Sequence, residues 1–199
     1  ESNNYIADML LLNLAGGTSL DASRNLGTKA QILEDYMKTI ISSRGVNPQG
    51  LVLKSGSGLT PENRLSAKDV VYLLDKIYFD GNQFPEFLSS LAAPGETGTL
   101  KDRFKSILPV SNKLFIRAKT GTLSEPNNVV SLAGYMRVEG SDWFSFAFLI
   151  NSENSDSSLG ILNLRECIDS DLVDVLQSEL AFHENQRNLH SASYFSEPR

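Results

Sequence analysis

Lys119, Thr120 and Gly121 stand side by side in "RAKTGTLSEPNNVVSLAGY", at the end of a strand-like run and ahead of a break and a second strand. A lysine brings positive charge, a threonine a hydrogen-bond donor, and a glycine a backbone that another chain can approach closely. The triplet therefore reads in two ways, as an ordinary hairpin edge or as the wall of an active site. Ser2 and Asn4 form a second candidate pair. Their Ser-x-Asn spacing recurs at Ser23/Asn25 and Ser152/Asn154, so position has to discriminate. Only the first copy precedes an apolar helical run, where the backbone fixes both side chains and the helix dipole favours a nearby anion. Helix capping is the alternative role for these two residues, and it is compatible with a catalytic one.

The elements that must position these residues follow from hydrophobic period. Ile6, Met9, Leu10 and Leu14 recur at helical spacing and predict a helix from about Asn4 to Ala15, ended by Gly16 and Gly17. Thr28 opens a second helix through Ile32, Leu33, Tyr36 and Ile40 to a stop at Gly45. In "GLVLKSGSGLTPENRLSAKDVVYLLDKIYF" a short apolar strand runs into a Gly/Ser loop, and Ser66 with Asp69 forms a capping-box pattern before the next helix. Gly56, Ser57 and Gly58 read as a structural loop beside the site. Short helices and turns fill the stretch from Asn82 to Pro109.

After that the period becomes two. Leu114 to Thr120, Val129 to Val138 and Trp143 to Asn151 are three strands of an antiparallel meander, and a helix from about Leu162 to Leu180 closes the chain. Cys167, near Leu164 and Ile168, is expected as a core or boundary thiol; His183 and His190 are expected in solvent. The fold class is α+β, helices packed on an antiparallel sheet, with residues 1–182 forming one domain and 183–199 a polar tail.

Composition narrows the function classes. The 199 residues carry a net charge of -6 scattered without runs, which argues against nucleic acid or an anionic membrane surface as the main partner. A single cysteine excludes an internal disulfide framework, and nothing points to a metal or another cofactor. The chain opens on Glu1 without a starting Met or a signal peptide, which reads as a cut rather than a natural start.

The order of the segments says more than any one of them. "SNN" before an apolar helix, "GSGLTPENRLS" before another, "GETGTLKDRF", then "RAKTGTL" followed by "VVSLAGYM" together resemble the class C low-molecular-mass penicillin-binding proteins, over about Ser2 to Asn151. Those proteins are D-alanyl-D-alanine carboxypeptidases and endopeptidases of bacterial cell-wall metabolism. The resemblance implies a penicillin-binding-protein/beta-lactamase-like transpeptidase fold, incomplete in this chain, and a periplasmic or extracytoplasmic place of work. It implies peptidoglycan peptides and beta-lactam antibiotics as ligands, with Ser-x-x-Lys, Ser-x-Asn and Lys-Thr-Gly as the catalytic set.

Carried onto this sequence, Lys119 places charge beside the substrate's C-terminal carboxylate, Thr120 donates a hydrogen bond to it, and Gly121 lets the substrate backbone lie close. The main-chain N–H of Thr122 is then one of two oxyanion donors. Ser2 relays a proton to the leaving D-alanine, and Asn4 holds the substrate amide and the lysine base.

Two departures from the family stand out. Its Asp-Gly-Ser-Gly-Leu-Ser segment here has Ser55 for the Asp and Thr60 for the last Ser. More consequentially, no lysine has a Ser or Thr three positions before it: those positions hold Leu26, Asp35, Leu51, Leu65, Leu73, Gly98, Asp102, Val110 and Ile116. The acylated serine and its lysine are therefore expected on an N-terminal segment of the same protein that carries Ser-x-x-Lys. A catalytically inactive relative that binds wall peptides is the alternative, and a structural domain with incidental motifs is a third.

Overall fold

The structure, a computed structural model, describes residues 2–14, 26–104, 113–152 and 160–194, with side chains described to residue 186. Helix α1 spans Asn4–Asn13, and its N-cap is Asn3, whose Oδ1 accepts the Ile6 N–H at 3.0 Å. It stops short of Ala15, and the Asn13 amide bonds back to the Met9 carbonyl. Gly16 and Gly17, the predicted stop, lie outside the described residues, as do Ser23, Asn25 and Asn154. Helix α2 spans Leu26–Ser43 and ends before Gly45, which adopts φ 71°. It buries Met37, Ile40 and Ile41 against Leu51.

The apolar run at 51–54 forms one isolated bridge, Val52 to Arg64, where the sequence predicts a strand. The cause is local competition for its backbone donors. Glu34 accepts the Leu53 N–H at 3.0 Å and Asn63 accepts the Lys54 N–H at 2.7 Å, so no neighbouring strand is needed. Helix α3, Ala67–Tyr78, begins with the predicted capping box between Ser66 and Asp69. Helix α4 is Phe84–Ser90, with Pro85 in its first turn, and a 3-10 turn at Gly98–Leu100 precedes the sheet.

Strands β1 (Leu114–Leu123), β2 (Val129–Val138) and β3 (Phe144–Asn151) form an antiparallel meander in the order β1-β2-β3. β1 runs three residues beyond its predicted end because Gly121, Thr122 and Leu123 remain paired with Ser131, Val130 and Val129. Helix α5, Ile161–Tyr194, covers one face of the sheet: Leu164, Ile168, Leu172 and Leu176 pack on Ile116, Ala118, Val130 and Leu132. Burying one such side chain contributes about 1.5–3 kcal/mol. On the other face Tyr135 sits among Leu74, Phe84, Phe87 and Leu91 and donates its hydroxyl to the Leu74 carbonyl at 2.7 Å.

Two expectations about α5 change. The helix runs past His183 to Tyr194, crossing the point where a tail was expected, and residues 195–199 lie outside the description. Helical hydrogen bonding is made by the main chain, so a polar sequence can continue the helix. Cys167 is exposed, not in the core. Each helical residue turns about 100°, so Cys167 points well to the side of the stripe that Leu164, Ile168 and Leu172 drive inward. No helix among the described residues is long and apolar enough to cross a membrane.

Candidate active site

Strand parity decides what β1 can present. Ala118 donates its N–H to the Ala92 carbonyl at 3.0 Å, on the side of β1 away from β2. With a two-residue ladder period, the main-chain N–H groups of Thr120 and Thr122 point toward that same outer edge. Their side chains share the sheet face of Ala118, the α5 side, whereas Lys119 and Gly121 lie on the opposite face. Beyond Ala118 the outer edge of β1 thus carries a cation on one side, hydroxyls on the other and main-chain donors between.

The edge borders a cleft of about 920 Å³. Ser2 and Asn4 line it from the start of α1; Lys119, Thr120, Gly121 and Thr122 line it from β1. All six residues singled out in the sequence therefore surround one space. No hydrogen bond joins Ser2 or Asn4 to β1 among the described residues, so the two walls face each other across an open gap.

Ser57 and Gly58 of the Gly/Ser loop also line the cleft. Asp8 ties this loop to α1 by accepting the N–H groups of Gly56 at 3.0 Å and Ser57 at 2.9 Å. Ser55, where the family has an aspartate, is buried and accepts the Gly58 N–H at 3.1 Å. Thr60 accepts the Glu62 N–H at 3.2 Å. Both departures thus keep a local acceptor in the loop. A Cβ on Gly56 would lie 3.1 Å from the Ala7 carbonyl and 3.3 Å from the Leu11 Cβ, so glycine lets the loop sit tightly on α1.

Lys119 donates its Nζ to the Thr120 carbonyl at 2.6 Å. The residue as a whole is exposed, yet partial desolvation at the cleft holds its pKa below the usual lysine value. Gly121 has a structural reason beyond substrate approach: a Cβ there would lie 2.3 Å from the Ser131 hydroxyl across the ladder.

Three contacts at the cleft carry no local signal in the sequence. The Thr99 hydroxyl lies 2.7 Å from that of Thr120. Arg165 on α5 donates to Thr122 Oγ1 at 2.9 Å. Arg103 is held by Asp169 of α5 through its Nε and Nη2. The "GETGTLKDRF" segment marks the first and third only as part of a motif, and the second joins residues 43 apart. With Arg64, the lining carries four cationic side chains and no Asp or Glu among the described residues, in a chain of net charge -6. That concentration of positive charge suits an anionic ligand.

Comparisons with known proteins bear on the family and the fold. The D-alanyl-D-alanine carboxypeptidase DacB of Haemophilus influenzae is 30% identical over 152 residues, 76% of this chain and 29% of that protein. A D-alanyl-D-alanine carboxypeptidase of Actinomadura sp. is 27% identical over 188 residues, 92% of this chain and 31% of that protein. The chain therefore spans about three tenths of the length of these relatives. In structure it is similar to penicillin binding protein 4 from Haemophilus influenzae complexed with a beta-lactam, with a TM-score of 0.65 at 23% identity, covering 88% of this chain and 39% of that one. This likeness shows a penicillin-binding-protein-like fold, of which the chain forms a part. Residues 1–168 match the D-Ala-D-Ala carboxypeptidase 3 (S13) family, and the chain belongs to that family.

Proposed function

We propose that these 199 residues form the substrate-anchoring and oxyanion side of a serine-type D-Ala-D-Ala peptidase, a carboxypeptidase and endopeptidase that works by an acyl-enzyme. The observation that carries this reading is that Ser2 and Asn4 share one cleft with Lys119, Thr120, Gly121 and Thr122, more than a hundred positions away in the chain. In the proposed reaction a serine of Ser-x-x-Lys, on a segment preceding residue 1, attacks the carbonyl between the two D-alanines. The Thr122 N–H stabilises the oxyanion; Lys119 and Thr120 hold the terminal carboxylate; Gly121 lets the peptide lie along β1. Ser2 passes the proton to the departing D-alanine amine, and Asn4 orients the substrate amide and the lysine base. Water then hydrolyses the acyl-serine.

Peptidoglycan peptides and cross-links are the proposed substrates, outside the cytoplasm, and beta-lactams acylate the same serine because they carry a carboxylate at the matching distance. Residues 1–182 form the peptidase part in this reading. The chain's own chemistry also limits it: no lysine or histidine is near Ser2 in sequence to make it a nucleophile.

The test is to treat the complete protein with fluorescent penicillin, map the label by peptide mass, and assay D-alanine release from a D-Ala-D-Ala peptide. Label on a Ser-x-x-Lys serine with D-alanine release is the expected result. A protein that binds the peptide without label or release would establish the inactive wall-peptide binder instead.

A further inference from the structure

The Thr122 side chain has one O–H proton to give and two lone pairs to receive. Arg165, which can only donate, fills one lone pair at 2.9 Å. The Thr122 proton is then free for another acceptor, and no hydrogen bond among the described residues takes it. In front of it lies the cleft. Thr120, two residues earlier on the same face, has its hydroxyl 2.7 Å from that of Thr99; with Thr99 as the donor of that bond, the Thr120 proton is left for the cleft. Two strand positions are about 7 Å apart, a span that one carboxylate accepting from both sides can bridge.

The charges point the same way. Arg103, beside Arg165 in the cleft, is neutralised by Asp169, one turn further along α5. Arg165 has no carboxylate partner among the described residues. It is half-buried, so its charge is less screened than at an open surface.

From this we infer, resting on the peptidase reading above, that Arg165 is a positioning residue for recognition of the substrate's terminal carboxylate. By donating to Thr122 Oγ1 it holds that hydroxyl as a donor toward the cleft, and it leaves an uncancelled positive charge behind it. The site thereby selects a free C-terminal acid over the corresponding neutral amide. Arg165 itself need not touch the substrate. The neighbouring Asp169–Arg103 pair ties down the helix turn next to the one from which Arg165 reaches.

The experiment uses the complete protein and two probes, an acyl-D-Ala-D-Ala peptide as the free acid and as the C-terminal amide. Equilibrium binding is measured first, and acylation by fluorescent penicillin separately. Arg165→Gln is expected to weaken acid binding about tenfold, the loss of one charge-assisted contact, while leaving amide binding within about twofold. Arg165→Lys, which keeps the charge and loses the fork, recovers part of the preference. In a Thr122→Val background Arg165→Gln adds little, because the two residues act as one unit.

An equal loss for both probes, or an unchanged acid preference in Arg165→Gln, overturns the assignment. Thermal melting separates these from misfolding, and a variant that unfolds is replaced in the comparison by Arg165→Lys. A wild-type protein that prefers the acid but is never acylated sinks the peptidase reading while the role of Arg165 stands. Acylation with no acid preference does the reverse.

Discussion

The Asp8 carboxylate accepts the main-chain N–H of Ser57 at 2.9 Å and so locks the helix that presents Ser2 and Asn4 to the Gly/Ser loop on the same side of the cleft. Removing it releases two charge-assisted bonds at once, since Gly56 shares the same oxygen. Asp8→Ala should cost about 1–3 kcal/mol of stability, and Asp8→Asn, which keeps a carbonyl acceptor, less. Thermal denaturation of the complete protein measures both. Melting temperatures unchanged in Asp8→Ala would show that the loop is held by packing alone.

Lys119 is the proposed carboxylate anchor, so Lys119→Ala should slow acylation by penicillin and by D-Ala-D-Ala peptides alike. Losing about 2–4 kcal/mol of transition-state stabilisation corresponds to roughly 30- to 1,000-fold in the second-order rate constant. Stopped-flow acylation would detect either, and a variant as fast as wild type would remove Lys119 from the anchor role.

The depressed pKa of Lys119 adds a pH dependence with a fixed sign. Desolvation favours the neutral amine, so the charge is lost at lower pH than for an ordinary lysine. Acylation should therefore decline on the alkaline side before free lysine titrates. Lys119→Arg should move that decline upward, because a guanidinium stays protonated. A pH–rate profile with the same alkaline limb in both proteins would contradict it.

Gly134 and Gly121 should respond very differently to alanine. At Gly134 a Cβ would lie 2.1 Å from the Arg117 carbonyl and 2.6 Å from the Ala118 Cα, both backbone atoms that cannot turn away. Gly134→Ala should therefore push β1 from β2 and destabilise by about 3 kcal/mol or more. At Gly121 the obstacle is the Ser131 hydroxyl, with its Cβ 3.7 Å away, so a rotamer change can relieve the clash. Comparable losses in denaturant midpoint for the two variants would refute the distinction.

Glu34 supplies an acid-sensitive element remote from the cleft. It is buried and accepts from Lys38 Nζ at 2.6 Å and from the Leu53 N–H at 3.0 Å. The bond from Lys38, then that from Leu53, outweigh burial and hold its pKa at about 2 against an ordinary value of 4.5. A folded-state pKa below the unfolded one stabilises above about 4.5, and that contribution is lost as pH falls from there toward 2. Glu34→Gln should flatten the pH dependence of unfolding in this window. An acid limb identical to wild type would assign the loss to other carboxylates.

What the sequence made legible was local. Alternation along Val129–Val138 marks both ends of β2, and Ser66 with Asp69 marks the start of α3, because each signal lies within a few residues. The triplet at Lys119 and the pair at Ser2 and Asn4 stand out through their order along the chain, and the fold brings them to one cleft. What stayed hidden depends on distant partners. Glu34 takes the donor that would have paired a strand at Leu53, Asp8 reaches the loop at Ser57, and Arg165 reaches Thr122. No periodicity encodes those meetings. Cys167 shows a finer limit, since apolar neighbours in sequence do not fix which way one helical side chain turns.

The pairing of Ala118 with Gly134 has one more consequence. Because adjacent strand residues face opposite ways, a slip of β1 by one position would carry Lys119 to the α5 side and turn Thr120 and Thr122 toward α3. The composition of the cleft would be unchanged, yet its polarity would be mirrored and Arg165 would meet a lysine in place of a hydroxyl. The site's handedness is thus stored in a glycine that never touches a ligand, where two backbones come too close for any other residue to sit.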